Sequence, residues 1–399
     1  MAVNDFTPQD AYTLINAVAK QATGRENLTA TDTSSFVSVG EALLRTGVEN
    51  TLKALSTVFA YTYFSNEKYT GKLAAVEQTS GQWGAITREI TALTQDAEAS
   101  QDWNTDLNPT QLDDGNSVDM YKINKPKVLE LKFYGTKVLQ RHITRFRDQI
   151  AQAFTSEAEF MRFYEAVMIE FRNDIETDRE SGRRATMLNY MAGLSNMGEE
   201  VDLTAEFNTK NGTKYTRNQL LTTYKKDFMA FAIARIKLDS EKLTERSAKY
   251  HANITGYNPI MRFTRKENQR LLMLSEFWID STTQVLPWVF DDKELTIENK
   301  ELVNWWQSAD KPSAIQITPS ILDSTGNAKK AETEVNLPYV LGVLYDRRAM
   351  GVQYQFDYAD TTPFNSAGGY WNMYVHSRKN YWNNYTHNGI LYIMGEGGE

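Results

Sequence analysis

The sequence predicts an α+β fold with at least two packed regions, and three observations support this prediction. The chain has 399 residues, which is more than a single hydrophobic core usually serves. After Ser156 apolar residues recur at helical spacing over a long stretch, which predicts one long helix. Several segments after residue 338 are short and either apolar or alternating, which is typical of strands.

The composition indicates a folded, globular chain and excludes several kinds of site. Hydrophobic residues make up 41% of the sequence and charged residues 24%, which is enough apolar material for packed cores. Because there is no cysteine, disulfides, thiolate nucleophiles and cysteine-ligated metals are excluded. A net charge of −8 argues against a protein whose main task is to bind nucleic acid through its phosphates.

No targeting or membrane segment is indicated. The first residues, MAVNDFTPQD, lack the basic and apolar regions of a signal peptide. No run of about twenty apolar residues occurs in the chain. We therefore expect neither secretion nor membrane insertion.

Two helices are predicted near the N-terminus. Thr7 and Pro8 have the pattern of an N-cap followed by proline at the first helical position, and apolar residues then recur at helical spacing as far as Gly24. Residues 24–38 are polar, which predicts a loop. Apolar residues at helical spacing over residues 39–59 then predict a second, longer helix.

Two further segments are predicted to be extended. Residues 65–84 contain three glycines and only scattered apolar positions, so we expect a loop that projects from the body and contacts another copy of the chain. The later stretch KVLELKF, residues 127–133, alternates charged and apolar residues. This alternation predicts a strand with Leu129 and Leu131 on one face.

Two blocks of opposite charge follow each other in the sequence. Residues 89–121 contain acidic residues but no lysine or arginine, whereas residues 122–147 are basic with the single acid Glu130. The blocks predict either two solvated surfaces or charge matching between neighbouring copies of the chain. In the second case Arg141 and Arg145 contact the acidic block of a neighbour.

The strongest helix signal begins at Ser156. Ser156 and Glu159 have the spacing of a capping box. Continued to about Met191, the helix is about 50 Å long. A long helix with one apolar stripe must lie along something extended, so we expect the stripe to be buried against a sheet. The stripe residues expected in this core are Phe160, Phe163, Val167 and Phe171.

Residues 201–345 predict a mixed α/β region. A helix is predicted over residues 219–236, while RLLMLSEFWID (270–280) and PYVLGVLYD (338–346) predict buried strands. After Asp346 the stretches VQYQFDY, YWNMYVHS and GILYIM predict short strands.

The C-terminal stretch is rich in aromatic residues, and its alternation indicates packing. In YWNMYVHS, Trp371, Met373 and Val375 occupy every second position. These three residues are predicted to form the buried face of a strand.

The sequence contains no familiar catalytic or phosphate-binding motif. Its four histidines are scattered, and His376 and His387 have no third ligand at a recognisable spacing. We therefore expect no metal and no cofactor, and we expect both histidines to tolerate replacement by glutamine. Carboxylate pairs beside an aromatic cleft leave one alternative open, a carbohydrate-active enzyme or carbohydrate-binding module.

Four stretches, taken in order, resemble the major capsid proteins of tailed bacteriophages, and podovirus-like members in particular. They are WGAITREITALTQDAEAS (83–100), KPKVLELKFYGTKVLQRHITRFRDQIAQAFTSEAEFMRFYEAVM (125–168), LYDRRAMGV (344–352) and GGYWNMYVHSRKNYWNNYTHNGILYIM (368–394). The resemblance covers nearly the whole chain and depends on the order of these parts. It implies the Hong Kong ninety-seven type of fold, in which a strand and a basic helix precede a long spine helix.

The resemblance implies five regions. They are a helical N-terminal arm (1–62), an extended loop (63–95), a peripheral domain (96–200) with its spine helix (156–191), an axial domain (201–345) and a C-terminal return to the peripheral domain (346–399). In that family the extended loop reaches onto a neighbouring subunit.

The resemblance also implies a function, that of a structural protein and not an enzyme. Copies of the chain would assemble as pentamers and hexamers into an icosahedral shell around the double-stranded DNA genome of a phage. The implied partners are portal, scaffolding and decoration proteins and packaged DNA bound without sequence specificity at the inner surface, with no membrane. Assembly in the host bacterial cytoplasm would precede residence in the virion. The implied contacts between subunits are Lys68, Tyr69, Lys72, Trp83, Arg88, Arg141, Arg145, Arg347 and Arg348.

Overall fold

The computed structural model of the chain describes residues 8–23, 29–46, 71–78, 87–93, 117, 119–121, 123, 125, 127–133, 135–146, 157–254, 259–284, 299–323 and 326–398. Within these residues, one long helix packs against two β-sheets. Shorter helices cover the second face of the larger sheet. The described part is therefore an α+β fold, as the sequence predicts.

Two helices lie near the N-terminus. Helix α1 spans Pro8–Thr23, as predicted, and helix α2 spans Thr33–Thr46. The start of α2 corrects the prediction that the loop continues to residue 38. Asp32 gives the physical reason, because its side-chain oxygen accepts a hydrogen bond from the backbone N–H of Ser35 at 2.7 Å, as an N-cap does. Residues 47–59 of the predicted second helix lie outside the described residues.

Residues 71–78 pack against the body of the chain, which corrects the prediction that the whole segment 65–84 projects from it. Leu73 and Val76 are fully buried, and they belong to a core that includes the long helix. A short 3₁₀ turn, Ala74–Val76, contains the second of them. Two apolar residues are too few to reveal a core position in the sequence, because distant elements supply the rest of that core.

Two strands form an antiparallel pair, which we call the ribbon. Strand β1 spans Thr87–Ala92 and strand β2 spans Val128–Phe133. The alternation of KVLELKF is confirmed in β2, where Leu131 is buried between the exposed Glu130 and Lys132. Residues 93–127 connect the two strands of the ribbon.

Strand β3, Thr136–Phe146, corrects the prediction of a basic helix ahead of the long helix. All eleven of its residues pair antiparallel with a later strand. Leu139 and Arg141 line a small cavity with the long helix, whereas the neighbouring Val138 and Gln140 are exposed. Lys137, Arg141 and Arg145 recur at every fourth position, which fits a helix as well as one face of a strand, so the charge pattern of the sequence did not reveal the period of a strand.

Helix α3, Glu157–Asn196, is one continuous helix of 40 residues, which corresponds to about 60 Å. This confirms the predicted long helix, which runs on past Thr177 and ends slightly later than expected. Phe171 and Ile175 are buried against a sheet, as predicted for this stripe. Ser156 and the side chains of Phe160, Phe163 and Val167 lie outside the described residues.

The chain after α3 alternates helices and short strands. The helices are α4 (Leu203–Asn211), α5 (Arg217–Leu221), α6 (Lys225–Lys242) and α7 (Ser275–Gln284). The strands are β4 (Glu200–Asp202), β5 (Gln269–Leu274), β6 (Lys300–Val303), β7 (Ile315–Ile317), β8 (Ser320–Leu322), β9 (Ala328–Lys330), β10 (Val335–Leu337) and β11 (Val340–Asp346). The predicted mixed α/β region is thus confirmed, and β11 confirms the strand in PYVLGVLYD.

Two predictions for this region are wrong in detail. The single helix expected over residues 219–236 is instead α5 followed by α6. A capping box between Thr216 and Gln219 starts α5, and α6 runs on to Lys242. The stretch 270–280 is a strand only in its first half, because α7 begins at Ser275.

The last three strands complete two sheets. They are β12 (Met350–Thr361), β13 (Tyr370–Asn383) and β14 (Gly389–Ile393). They confirm the strands predicted in VQYQFDY, YWNMYVHS and GILYIM. Strands β12, β13 and β3 form a three-stranded sheet in that order.

The larger, central sheet has five strands in the order β4-β14-β11-β5-β6. The C-terminal strand β14 therefore lies inside this sheet, between β4 and β11. Leu272 and Val343 face α3, while Leu271 and Leu344 face the shorter helices. Because both faces are covered, the central strands are mostly apolar.

The three-stranded sheet uses one face for packing. Trp371, Met373 and Val375 are 2%, 5% and 9% exposed, which is the buried face that the alternation predicts. Met373 and Val375 pack with Phe171 and Ile175 of α3. The helix therefore joins both sheets into one body.

Candidate functional site

The ribbon presents two different faces. Its register places Ile90 opposite Glu130 and Ala92 opposite Val128, so these four residues share one face. Ile90 and Val128 are 64% and 53% exposed. Leu131, on the other face, is buried. The ribbon thus lies on the rest of the chain with one face, and on the other it exposes Ile90 and Val128 beside three charged side chains, Arg88, Glu130 and Lys132.

Polar contacts between the ribbon and the body meet at one carboxylate. Glu89 accepts hydrogen bonds from Nε2 of His387 at 2.9 and 3.0 Å and from Nη2 of Arg262 at 3.2 Å. Nδ2 of Asn384 also donates to it, and Arg262 donates to Oγ1 of Thr91 at 3.1 Å. We call these five residues the Glu89 cluster. Segments far apart in sequence meet there.

The Glu89 cluster is mostly shielded from water. The side chains of His387, Arg262 and Glu89 are 3%, 15% and 25% exposed. Burial alone would raise the pKa of Glu89, but the hydrogen bond from His387 and the electrostatic attraction of His387 and Arg262 together lower it below its ordinary value. The carboxylate is therefore held in its charged form.

The turn that carries His387 and Asn384 is held firmly on the long helix. Tyr385 stacks on Tyr190 with ring centroids 5.5 Å apart, and its hydroxyl donates to the carbonyl of Asn189 at 2.9 Å. Gly193 permits this approach, because a Cβ there would lie 2.2 Å from the Tyr385 hydroxyl. The partners of Glu89 on this turn thus have fixed positions.

A second polar cluster holds residues 71–78. Arg183, only 1% exposed, donates to Glu176 and, at 3.1 Å, to Glu77. The N–H of Gly71 donates to Glu176 at 3.1 Å. We call these four residues the Arg183 cluster.

Arg141 pairs with two acids of its own chain. Its guanidinium contacts Asp178 at 2.5 Å and Asp174 at 2.9 Å, and both acids belong to α3. The contact of Arg141 with the acidic block of a neighbouring copy stays a prediction, because these ion pairs do not test it. Arg145 has its backbone in β3, but its side chain lies outside the described residues.

The remaining candidate contacts have varied positions. Lys72, Arg347 and Arg348 are exposed. Arg88 is exposed on the outer face of the ribbon, 3.5 Å from Glu130. Three further candidates, Lys68, Tyr69 and Trp83, lie outside the described residues.

His387 is buried and makes two contacts with Glu89, so its replacement by glutamine, which stays a prediction, would change a buried polar contact. His376 differs, because it stacks on Tyr358 with centroids 4.8 Å apart on the outer side of the three-stranded sheet. Within the described residues, no group of three or more His, Asp and Glu side chains is placed to hold a metal ion. None of the described helices combines the length and apolarity that crossing a membrane requires.

Three large aromatic residues of the C-terminal segment lie in the core. Trp371, Tyr385 and Tyr392 are 2%, 2% and 0% exposed. A sugar-binding surface needs open aromatic faces, so these residues do not support the carbohydrate alternative.

Neither polar cluster was predicted from the sequence. For the Arg183 cluster a signal was present, because Arg179 and Arg183 continue the row of Phe171 and Ile175 at steps of four residues. A charge on a buried stripe indicates a buried partner. For Glu89 no comparable signal exists, since its partners come from two segments far along the chain.

Comparison with known proteins gives one family match. The model of a family described as Phi29-like phage major capsid protein matches residues 15–393. No curated protein sequence is significantly similar to the chain.

Two solved structures share the fold. The capsid structure of Staphylococcus phage Andhra has a TM-score of 0.53 and 9% identity, covering 83% of this chain and 86% of that chain. A chain from the structure of the head fiber and inner core protein gp22 of native bacteriophage P68 has a TM-score of 0.52 and 11% identity, covering 83% and 88%. These likenesses confirm the phage capsid fold that the resemblance implied.

Proposed function

The chain belongs to the family of Phi29-like phage major capsid proteins, and from this premise we propose that the ribbon is its main contact with a neighbouring copy. Its role is structural, as a subunit of a capsid shell made of many copies. We assign it no catalytic activity. The observation that carries the proposal is the exposed apolar face of the ribbon.

The ribbon takes the place of the predicted extended loop. Residues 71–78 of that loop are held in the core, whereas the ribbon strands expose Ile90 and Val128. The segment between the strands contains Met120, Tyr121 and Ile123, which are 81%, 82% and 80% exposed. Large apolar side chains exposed together mark a surface that another protein covers. In a shell, head-to-tail contacts between copies provide that cover.

The wider assembly is also proposed. Copies of the chain form pentamers and hexamers of an icosahedral shell around double-stranded DNA, with portal, scaffolding and decoration proteins as partners. The net charge of −8 favours weak, non-specific contact with the packaged DNA. Exposed Lys72, Arg347 and Arg348 remain proposed contacts between copies. Assembly takes place in the host bacterial cytoplasm before the protein enters the virion.

The division into regions is a proposal as well. We assign residues 96–200 and 346–399 to a peripheral domain and residues 201–345 to an axial domain. The three-stranded sheet supports the first assignment, since β3 and β13 come from its two parts. The central sheet joins the two domains, because β14 lies beside β11.

The experiment places a charge on the exposed face of the ribbon. We expect Ile90→Glu with Val128→Glu to leave the unassembled chain folded, because both side chains are exposed, and to lower shell yield at least tenfold. Leu238→Glu on α6 is the control, since Leu238 is 52% exposed. Circular dichroism measures folding, and negative-stain microscopy with sedimentation measures shells.

Two outcomes would contradict the proposal. Normal shells from the ribbon variant would show that this face contacts no neighbour. An equal loss of shells from Leu238→Glu would show that any charge on an exposed apolar position blocks assembly.

A further inference from the structure

We propose that Glu89 is a positioning residue that fixes the orientation of the ribbon on the body and so sets the direction in which the ribbon reaches. The inference rests on the proposed role of the ribbon in assembly. It concerns how one copy holds its own ribbon before any neighbour binds. Its basis is the geometry of the Glu89 cluster.

The first step is the convergence of contacts. In the described part of the chain, the hydrogen bonds and ion pairs that join the two ribbon strands to the body all involve Glu89 or Thr91. On the opposite face of the ribbon, Arg88 and Lys132 each lie 3.5 Å from Glu130. One side chain therefore collects the polar contacts that set the ribbon's orientation.

The second step is the rigidity of the partners. Asn384 and His387 lie on the turn that Tyr385 holds against α3. Arg262 lies on a segment whose backbone pairs with Ser247 through two hydrogen bonds of 2.9 Å, and its Nε donates to the carbonyl of Thr386 at 3.0 Å. A carboxylate placed between fixed donors from two segments has little freedom to shift.

The negative charge of Glu89 also contributes to holding the ribbon. Arg262 faces Asp346 and Arg348 as well as Glu89, and His387 faces Glu89. The carboxylate of Glu89 is thus the ribbon's contribution to the charge balance of this site. Hydrogen bonds to a charged acceptor are stronger and more directional than those between neutral groups. A neutral side chain of the same shape would accept fewer bonds and leave Arg262 less well paired.

The experiment measures the orientation of the ribbon directly. Because the chain has no cysteine, two introduced cysteines are the only labelling sites. Spin labels at Ala92→Cys on the ribbon and Ala234→Cys on α6, both exposed positions, report a distance distribution by pulsed electron resonance on the full-length, unassembled chain. We expect Glu89→Gln to at least double the width of this distribution. Glu130→Gln, on the other face of the same ribbon, is the matched control and should leave the width unchanged.

A second pair of variants separates positioning by charge from simple packing. Glu89→Asp keeps the charge and shortens the side chain, whereas Glu89→Gln keeps the length and removes the charge. If charge positions the ribbon, the distance distribution should be narrower for Glu89→Asp than for Glu89→Gln. If the packing of the side chain positions it, the order of the two widths should be reversed. If Glu89→Gln does not fold, the charge is removed from its partner instead. Arg262→Gln, which removes the positive charge, should then give a broader distance distribution than Arg262→Lys, which keeps it. Equal widths for Glu89→Gln and the parent, or the reverse order for the two Glu89 variants, would overturn the inference.

Shell yield is measured separately from the distance distribution. The assembly contact of the ribbon and the positioning role of Glu89 can therefore be contradicted independently. A broad distribution in Glu89→Gln supports the positioning role whatever the shell yield. Normal shells from Ile90→Glu with Val128→Glu remove the proposed assembly contact even if Glu89 positions the ribbon.

Discussion

Two regions of this molecule are each held to the body by a polar cluster of arginine and glutamate, but the two clusters are buried to different depths. Residues 71–78 are held by the Arg183 cluster, with Arg183 1% exposed and Leu73 fully buried. The ribbon is held by the Glu89 cluster, with the Glu89 side chain 25% exposed and Ile90 64% exposed. The first region is part of the core, whereas the second is attached to its surface.

This difference in burial explains why residues 71–78 are unsuited to reach a neighbouring copy. Withdrawing residues 71–78 would expose apolar surface and would remove Glu77 and the N–H of Gly71 from the buried pair of Arg183 and Glu176. Reorienting the ribbon disturbs a half-buried polar cluster and leaves its apolar face exposed as before. A segment that must adapt to a neighbouring copy therefore fits the second arrangement.

The largest expected effect comes from breaking the buried cluster. Arg183→Met removes the nearest positive charge from the buried Glu176, which keeps only the N–H of Gly71 at 3.1 Å and Arg179 at 3.9 Å. The variant should lower the free energy of unfolding by about 3–5 kcal/mol. Urea denaturation of the unassembled chain measures this loss. Arg183→Met combined with Glu176→Leu should recover much of it, because both charges are then absent. A loss below about 1 kcal/mol for the single variant would show that the cluster behaves like a surface pair.

The next effect compares apolar side chains in the two regions. Leu73→Ala should cost about 2–5 kcal/mol, because it opens a cavity in the core. Ile90→Ala should change the free energy of unfolding by no more than about 0.5 kcal/mol, since its side chain is exposed. Denaturation of both variants under the same conditions gives the comparison. Similar losses would contradict the distinction between core segment and ribbon.

Lowering the pH should loosen the ribbon, because it protonates Glu89. Its pKa in the fold lies below the ordinary value of 4.5, so its contribution is fully present above that value and is lost as the pH falls through the lowered pKa. The distance distribution of the spin-labelled ribbon should stay narrow above pH 4.5 and broaden below it. The already broad distribution of Glu89→Gln should not respond over the same range. A parent distribution that does not change with acid would remove the role assigned to this charge.

The smallest effect is expected on the outer face of the ribbon. The side chains of Arg88 and Glu130 are 62% and 37% exposed. Glu130→Gln should therefore change the free energy of unfolding by less than about 1 kcal/mol. Any change should shrink further at high salt, because exposed charges are screened. A larger loss would show that this ion pair is more buried in solution than the structure indicates.

The long helix and the main strands were readable from the sequence because their signals are local and repeated. The row of Phe171 and Ile175 gives helix α3 its period, and the alternation of Trp371, Met373 and Val375 gives strand β13 its buried face. Such patterns depend only on which side of one element faces the core. The basic helix predicted at β3 and the strand predicted at α7 were wrong because period and composition disagreed in these two segments.

The sequence by itself determined the fold class, the long helix, the strand faces and, through the order of its parts, the capsid family. Only the tertiary structure decided which extended segment lies in the core and which is exposed. It also decided that Glu89 meets Arg262 and His387. The physical reason is distance along the chain. A local pattern records the burial of one element, whereas the partners of Glu89 and Leu73 come from segments that only the folded chain brings together.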